Sequence, residues 1–410
     1  MAETMRAGEL DARQLSCGKP PEDGALLRQL SVGLDSLTDF LDRIYLKDYI
    51  PAGGSKIKLI TGHPGSGKTH LARYLTDEAQ EQGYVAVRFS ARDVWLNDFR
   101  SIYLEILRQC DIERILGNCA NQIIRELGYD PADIGPGRNF MDSLAERGEG
   151  DALSRGEIRG MLRRYFTQNP RLDNTFAACC SLLTGGLLGH PVLESASREL
   201  IYAYMNGDKA VKLSQLRAIG LSPSAINRYN ARHLLRSLCE VVRLGGHPGL
   251  LVVIDDMEAL LNRAPGDAIR YTKLRREDTY ESIRQLIDDI DSMRNALFLL
   301  CFERELMDND SYGMKSYQAL WMRVQNEVVS TRFNRFSDII DLDRYAEEAY
   351  TVPALCEMSE RLCLALGEDA GAVPLTPERA EGLAEQARYG RLGLPFMVNR
   401  ATLEGGEGNV

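Results

Sequence analysis

Two rhythms of apolar residues alternate along the chain. Short, nearly continuous apolar runs occur at "KIKLI" (expected strand 57–61), "GYVAVRFS" (83–90), "GLLVVID" (249–255), "ALFLLCF" (296–302) and residues 338–342. Runs of this length, rich in β-branched residues and ending at Gly, Asp or Glu, read as buried parallel strands. Between and after them the spacing turns helical. Leu71, Tyr74 and Leu75 share one helix face, and the same period runs through "SVGLDSLTDFLDRIYLKDYI", "TYESIRQLIDDIDSM", "SYQALWMRVQNEV" and everything from 345 onward. Strands alternating with helices predict an α/β fold, a parallel sheet flanked by helices.

Five segments follow. Residues 1–30 are polar and read as a loosely ordered arm or a partner-binding segment. Residues 31–99 hold the first part of an α/β core. Residues 100–248 are helical throughout and read as a large insertion after the second strand. Residues 249–344 return to the core. Residues 345–410 form a helical lid. Within the insertion, "FAACCSLLTGGLLG" reads as a buried helix pair. "SQLRAIGLSPSAINRYNARHLLRSL" fits either an amphipathic helix pair or a nucleic-acid contact.

Composition narrows the class. The chain has 410 residues, 44% hydrophobic and 26% charged, with a net charge of −10. That balance is ordinary for a globular protein and argues against a broad nonspecific DNA surface. The nine cysteines form no C-x-x-C pair and no zinc-type cluster, so reduced, buried thiols are expected. No charged-then-apolar leader opens the chain, and no apolar run approaches the roughly 20 residues of a membrane span. A cytoplasmic protein without membrane contact is expected.

The chemistry concentrates at "ITGHPGSGKTHLARYL". Gly62, four residues, then Gly67, Lys68 and Thr69 has the spacing of a phosphate loop, between a strand and a helix as that motif requires. Gly62, His63, Pro64, Gly65, Ser66, Gly67, Lys68, Thr69 and His70 would line the phosphates of ATP. Loop amides point inward, Lys68 supplies charge to the β/γ-phosphates, and Thr69 offers its hydroxyl to Mg²⁺. Asp255, at the tip of an apolar strand, is the expected second Mg²⁺ residue. Asp256, Glu258 or Glu303 would orient the attacking water. Arg332 or Arg335 would reach a neighbouring subunit's nucleotide in a homo-oligomer, with Arg323 and Arg400 as weaker candidates.

Several stretches together resemble a known family: "LITGHPGSGKTHLARYLTDEAQEQGYVAVRFSARD", "LRAIGLSPSAIN…LLRSLCEVVRLGGHPGLLVVIDDMEALL", "YESIRQLIDD" and "SYQALWMRV". They are similar to the ATP-binding proteins of BREX phage-defence systems, the BrxC/BrxD family, over roughly residues 32 to 345. The length resembles the shorter, BrxD-like branch. The resemblance implies an AAA+-like P-loop ATPase working with other proteins of a defence complex, on or near DNA. It carries Lys68 and Thr69 as nucleotide residues and Asp255 as the Mg²⁺ residue. The family more often has Asp-Glu where this chain has Asp255-Asp256. That departure leaves open a binding switch with little hydrolysis.

Overall fold

A computed structural model describes residues 8–135, 137–261, 269–328, 333–367 and 370–406. Five parallel strands form one sheet: β1 (Ser55–Gly62), β2 (Val85–Ser90), β3 (Leu250–Asp255), β4 (Ala296–Glu303) and β5 (Ile339–Asp341). Their spatial order is β2-β3-β4-β1-β5. The five apolar runs of the sequence are these five strands. The central strands β3 and β4 are buried on both faces, which is why they lack a polar alternation, whereas β2 at the edge alternates buried and half-buried positions.

One face of the sheet carries Leu71, Ala72 and Leu75 of helix Lys68–Glu81, which pack with Leu251, Val253, Leu297 and Leu299. The other face carries Val252, Ile254, Phe298 and Leu300, packed beneath the helices that run from Phe99 to Leu244. Burying a Leu or Val side chain is worth roughly 1.5–3 kcal/mol. These two layers therefore hold the strand ends, and whatever they carry, in place.

Lys58 is the exception to the apolar rule on β1. Its side chain is wholly buried, and its ammonium donates to the carbonyls of Phe336 (3.2 Å) and Ser337 (2.6 Å). It also lies 4.8 Å from the centre of the Tyr45 ring. A buried cation is tolerable only when satisfied in this way.

Two expectations need correction. From residue 8 onward, the segment read as a loose arm forms helices Glu9–Ser16 and Gly24–Leu30. Leu15 and Leu26 are buried against Leu362 and Ala365 of helix Val352–Leu366, and Asn399 donates to Leu15 O at 3.1 Å. Residues 1–7 lie outside the described residues. The apolar stretch read as a helix pair is one helix, Asn174–Leu188. Gly185 and Gly186 stay inside it because other side chains press on them: a Cβ at 185 would meet Pro191 at 2.6 Å, and one at 186 would meet Leu193 at 3.0 Å.

Between β2 and β3, every regular element among the described residues is helical. After β5 come helices Leu342–Ala349, Val352–Leu366, Pro377–Tyr389 and Leu394–Leu403. The last three share a small core of Leu355, Leu375, Ala380, Leu394 and Val398. Among the described residues no helix is long and apolar enough to cross a membrane. Cys110, Cys119, Cys179, Cys180, Cys239 and Cys301 are buried free thiols; Cys17 is exposed.

Candidate functional site

Strand register lines up the chemistry. Gly62 at the end of β1 is paired with Glu303 at the end of β4, Thr61 with Asp341 of β5, and Ser90 of β2 with Asp255 of β3. All lie at the carboxyl edge of the sheet, where open α/β folds place ligands.

After Gly62 the chain curls and enters helix Lys68–Glu81. Gly65 (φ 79°) and Gly67 (φ 96°) take left-handed backbone that a side chain would resist. Gly62 is needed for space, since a Cβ there would stand 2.4 Å from Ser66 Oγ. The Lys68 ammonium donates to Gly62 O (3.2 Å) and His63 O (2.9 Å). Thr69 and Asp255 line the same cavity, and the Thr69 side chain partly offsets the rise of the Asp255 pKa. Ser66 Oγ is buried without a hydrogen-bond partner among the described residues. An orphaned buried hydroxyl in a glycine loop suits a ligand with acceptor atoms.

The acids divide by environment. Asp255 is buried, and burial together with the neighbouring Asp256 carboxylate raises its pKa. The backbone N–H of Asp256 donates to Asp255 Oδ1 at 2.9 Å. Asp256 itself adopts left-handed backbone (φ 55°), which Asp tolerates better than most residues, and its carboxylate accepts the Ser90 hydroxyl at 2.7 Å. Glu258 is buried and turned toward β4, where it accepts the Glu303 N–H at 3.3 Å. Burial, with Glu303 and Asp256 adding to it, pushes its pKa up to about 7. Arg92 lies 3.5 Å from its carboxylate.

A cavity of about 710 Å³ opens over this edge. Lys68, Thr69, Arg88, Asp255 and Asp256 line one side; Leu15, Val32, Tyr350, Phe396 and Asn399 line another. His70 also lines it and pairs with Ser31 Oγ at 2.7 Å. Burial, reinforced by Arg73, pushes the His70 pKa down to about 4.

The expected residues are not all brought together. Asp255, Asp256, Lys68 and Thr69 converge on the cavity, and Glu258 and Glu303 meet beside it. Arg335 stacks on Phe40 (5.1 Å) and Phe336 (5.7 Å), beside the start of β1 rather than its glycine end. Arg332 lies outside the described residues. Arg323 pairs with Asp288 at 3.0 Å. Arg400 pairs with Glu404 at 2.6 Å and is not among the residues that line the cavity.

Sequence reasoning missed Arg88, Ser90, Phe396 and the Arg304–Asp343 pair. Arg88 left a signal, a charge inside an otherwise apolar strand; one of its guanidinium nitrogens is buried without a hydrogen-bond partner among the described residues. Phe396 left none, because only the folding of the C-terminal helices brings it to Gly65.

The donor set suits Mg²⁺ held jointly with a phosphate. Thr69 and Asp255 line one cavity and offer hard oxygen atoms to it. Among the described residues no group of three or more His, Cys, Asp or Glu could hold a metal alone. Mg²⁺ takes few protein ligands and completes its shell with phosphate and water.

A parallel sheet with a glycine loop, an invading lysine and an acid-tipped neighbouring strand defines a nucleotide-binding α/β protein. Comparison with known families gives the more specific assignment. The family model described as "BREX system ATP-binding protein BrxC/D" matches residues 12–127 and 176–356, more than half of the chain, and the chain belongs to that family. It is an ATP-binding protein of BREX phage defence. No curated protein and no solved structure matches it.

Proposed function

We propose that the protein is an AAA+-like ATPase that binds Mg-ATP at the phosphate loop and hydrolyses it to drive conformational or assembly changes among BREX proteins. The observation that carries this reading is the convergence of Lys68, Thr69 and Asp255 on one cavity at the carboxyl edge of the sheet. The strand order, with β4 between β1 and β3, supports the AAA+-like part.

Loop amides and Lys68 would hold the phosphates, while Thr69 and Asp255 hold Mg²⁺, which neutralises phosphate charge when bound. Glu258 or Asp256 would accept a proton from water as its oxygen attacks the γ-phosphorus and the bond to the β-phosphate oxygen breaks. Arg335 or Arg332 would act on a neighbouring copy, which requires a homo-oligomer. The apolar walls from the N-terminal helices and the lid would take the base, so lid and nucleotide state would move together. We place the protein in the cytoplasm, with other defence proteins as partners and DNA as a candidate contact.

Steady-state hydrolysis by the purified protein and Lys68→Ala, with and without duplex DNA, tests this. Turnover abolished by the substitution supports the reading, and stimulation by DNA supports the DNA contact. A second reading is a nucleotide-dependent switch with negligible hydrolysis. It is favoured by the Ser90 hydroxyl, which holds the short Asp256 carboxylate toward β2.

A further inference from the structure

We infer that Asp343, braced by Arg304, is a positioning residue that sets the phosphate loop and its lysine; the inference rests on the nucleotide-binding reading above. Asp343 stands two residues beyond β5, in the first turn of helix Leu342–Ala349. Its two carboxylate oxygens accept the His63 backbone N–H at 3.1 and 2.9 Å. Oδ2 also lies 2.6 Å from His63 Nδ1. An ionised carboxylate only accepts, so Nδ1 carries the hydrogen. Arg304 Nε donates to the same Oδ2 at 3.0 Å, and another nitrogen of its guanidinium donates to Asp341.

The consequence follows from peptide geometry. A trans peptide is planar, with its N–H and C=O pointing in opposite directions. The N–H of the Gly62–His63 unit faces Asp343. Its carbonyl, Gly62 O, therefore faces the other way, where it accepts the Lys68 ammonium at 3.2 Å. One peptide unit is thus held at one end by a carboxylate and at the other by the loop's lysine. The approach is close: a Cβ on Gly62 would lie 3.3 Å from Asp343 Oδ1. Arg304 follows Glu303, the residue in register with Gly62, so the clamp joins the ends of β4, β1 and β5 around the loop's entry.

Phosphate must draw Lys68 away from the carbonyls of residues 62 and 63. Without Asp343 that peptide is free to rotate, and the ammonium and the amides after it lose their common aim. Misplacement by about 1 Å can cost on the order of a hundredfold where geometry is critical.

The test is Mg-ATP and Mg-ADP affinity by equilibrium titration, well below each variant's melting temperature. The set is the unaltered protein, Asp343→Ala, Asp343→Asn, Lys68→Ala and the double variant Asp343→Ala/Lys68→Ala. Asp343→Ala is expected to lose about tenfold or more. Asp343→Asn, which keeps one acceptor for the His63 N–H, is expected to lose less. In the Lys68→Ala background the further loss is expected to be under about twofold, because both residues act through one peptide. Unaltered affinity in Asp343→Ala, whatever its melting temperature, would overturn the inference, as would losses that multiply in the double variant. If Asp343→Ala does not fold, Asp343→Asn decides: a few-fold loss that vanishes in the Lys68→Ala background supports the inference, and unaltered affinity overturns it. Failure of the unaltered protein to bind ATP would instead sink the nucleotide reading on which the inference stands.

Discussion

Phe396 packs directly on Gly65 of the glycine loop. Its backbone N–H donates to Gly65 O at 3.2 Å, and a Cβ on Gly65 would stand 2.2 Å from the Phe396 Cβ. Three residues earlier, the Gly393 N–H donates to Pro64 O at 2.8 Å. Helix Leu394–Leu403 thus begins on the loop itself.

Gly65→Ala meets two penalties, the collision with Phe396 and a φ of 79° that L-residues resist. The expected result is a loss of about 1–3 kcal/mol in stability, together with weaker ATP binding. Thermal melting and nucleotide titration check it. Phe396→Ala in the same background keeps the Cβ that makes the 2.2 Å contact and leaves the backbone strain in place, so it is expected to recover little of the stability.

Asp256 is one methylene shorter than glutamate and is occupied by the Ser90 hydroxyl. If it is the weak point of turnover, Asp256→Glu should raise the rate of ATP hydrolysis by about tenfold or more, and Ser90→Ala should raise it less. Steady-state phosphate release checks this; an unchanged rate in both variants counts against Asp256 as the weak point.

Glu258 gives a pH signature with a defined sign. Its folded pKa lies near 7, above the usual value of 4.5, so the folded state binds the extra proton. Its contribution to stability is fully present below about pH 4.5 and is lost as pH rises through 7. Glu258→Gln, which cannot ionise, is therefore expected to melt higher than the unaltered protein at pH 8 and no higher at pH 4. A lower melting point at pH 8 would mean that the Arg92 contact outweighs burial. If Glu258 takes the proton from water, hydrolysis should also rise with pH through about 7, and Glu258→Gln should remove that limb.

Lys58→Met removes the donors that hold the carbonyls of Phe336 and Ser337. Stranding them should cost about 1–3 kcal/mol. The same change loosens the turn that carries Arg335. If Arg335 completes a neighbour's site, turnover should fall in the assembled protein while ATP affinity in the monomer stays the same. Melting curves, titration and hydrolysis as a function of protein concentration separate the two effects.

Much of this architecture was legible in the amino-acid order. Apolar strands at the centre of the sheet cannot hide their runs, and the spacing of Gly62 to Thr69 showed a glycine loop between a strand and a helix. Asp255 was legible because an acid ends an otherwise apolar strand. The N-terminal helices were not: Glu9–Ser16 and Gly24–Leu30 span two turns each and gain their stability from Leu362 and Ala365, more than 300 residues away. The single helix Asn174–Leu188 was misread because Gly185 and Gly186 look like a break until Pro191 and Leu193 are seen filling the space beside them. Asp343 and Phe396 act on the loop only through tertiary contact, which no local pattern encodes.

The most direct measurement is equilibrium binding of Mg-ATP to the unaltered protein and to Lys68→Ala. Saturable binding by the first, weakened at least about tenfold in the second, is the result expected from a lysine that donates its charge to the phosphates. Equal binding by both proteins, or none by either, would contradict the account of Gly62 to Thr69 as the phosphate site.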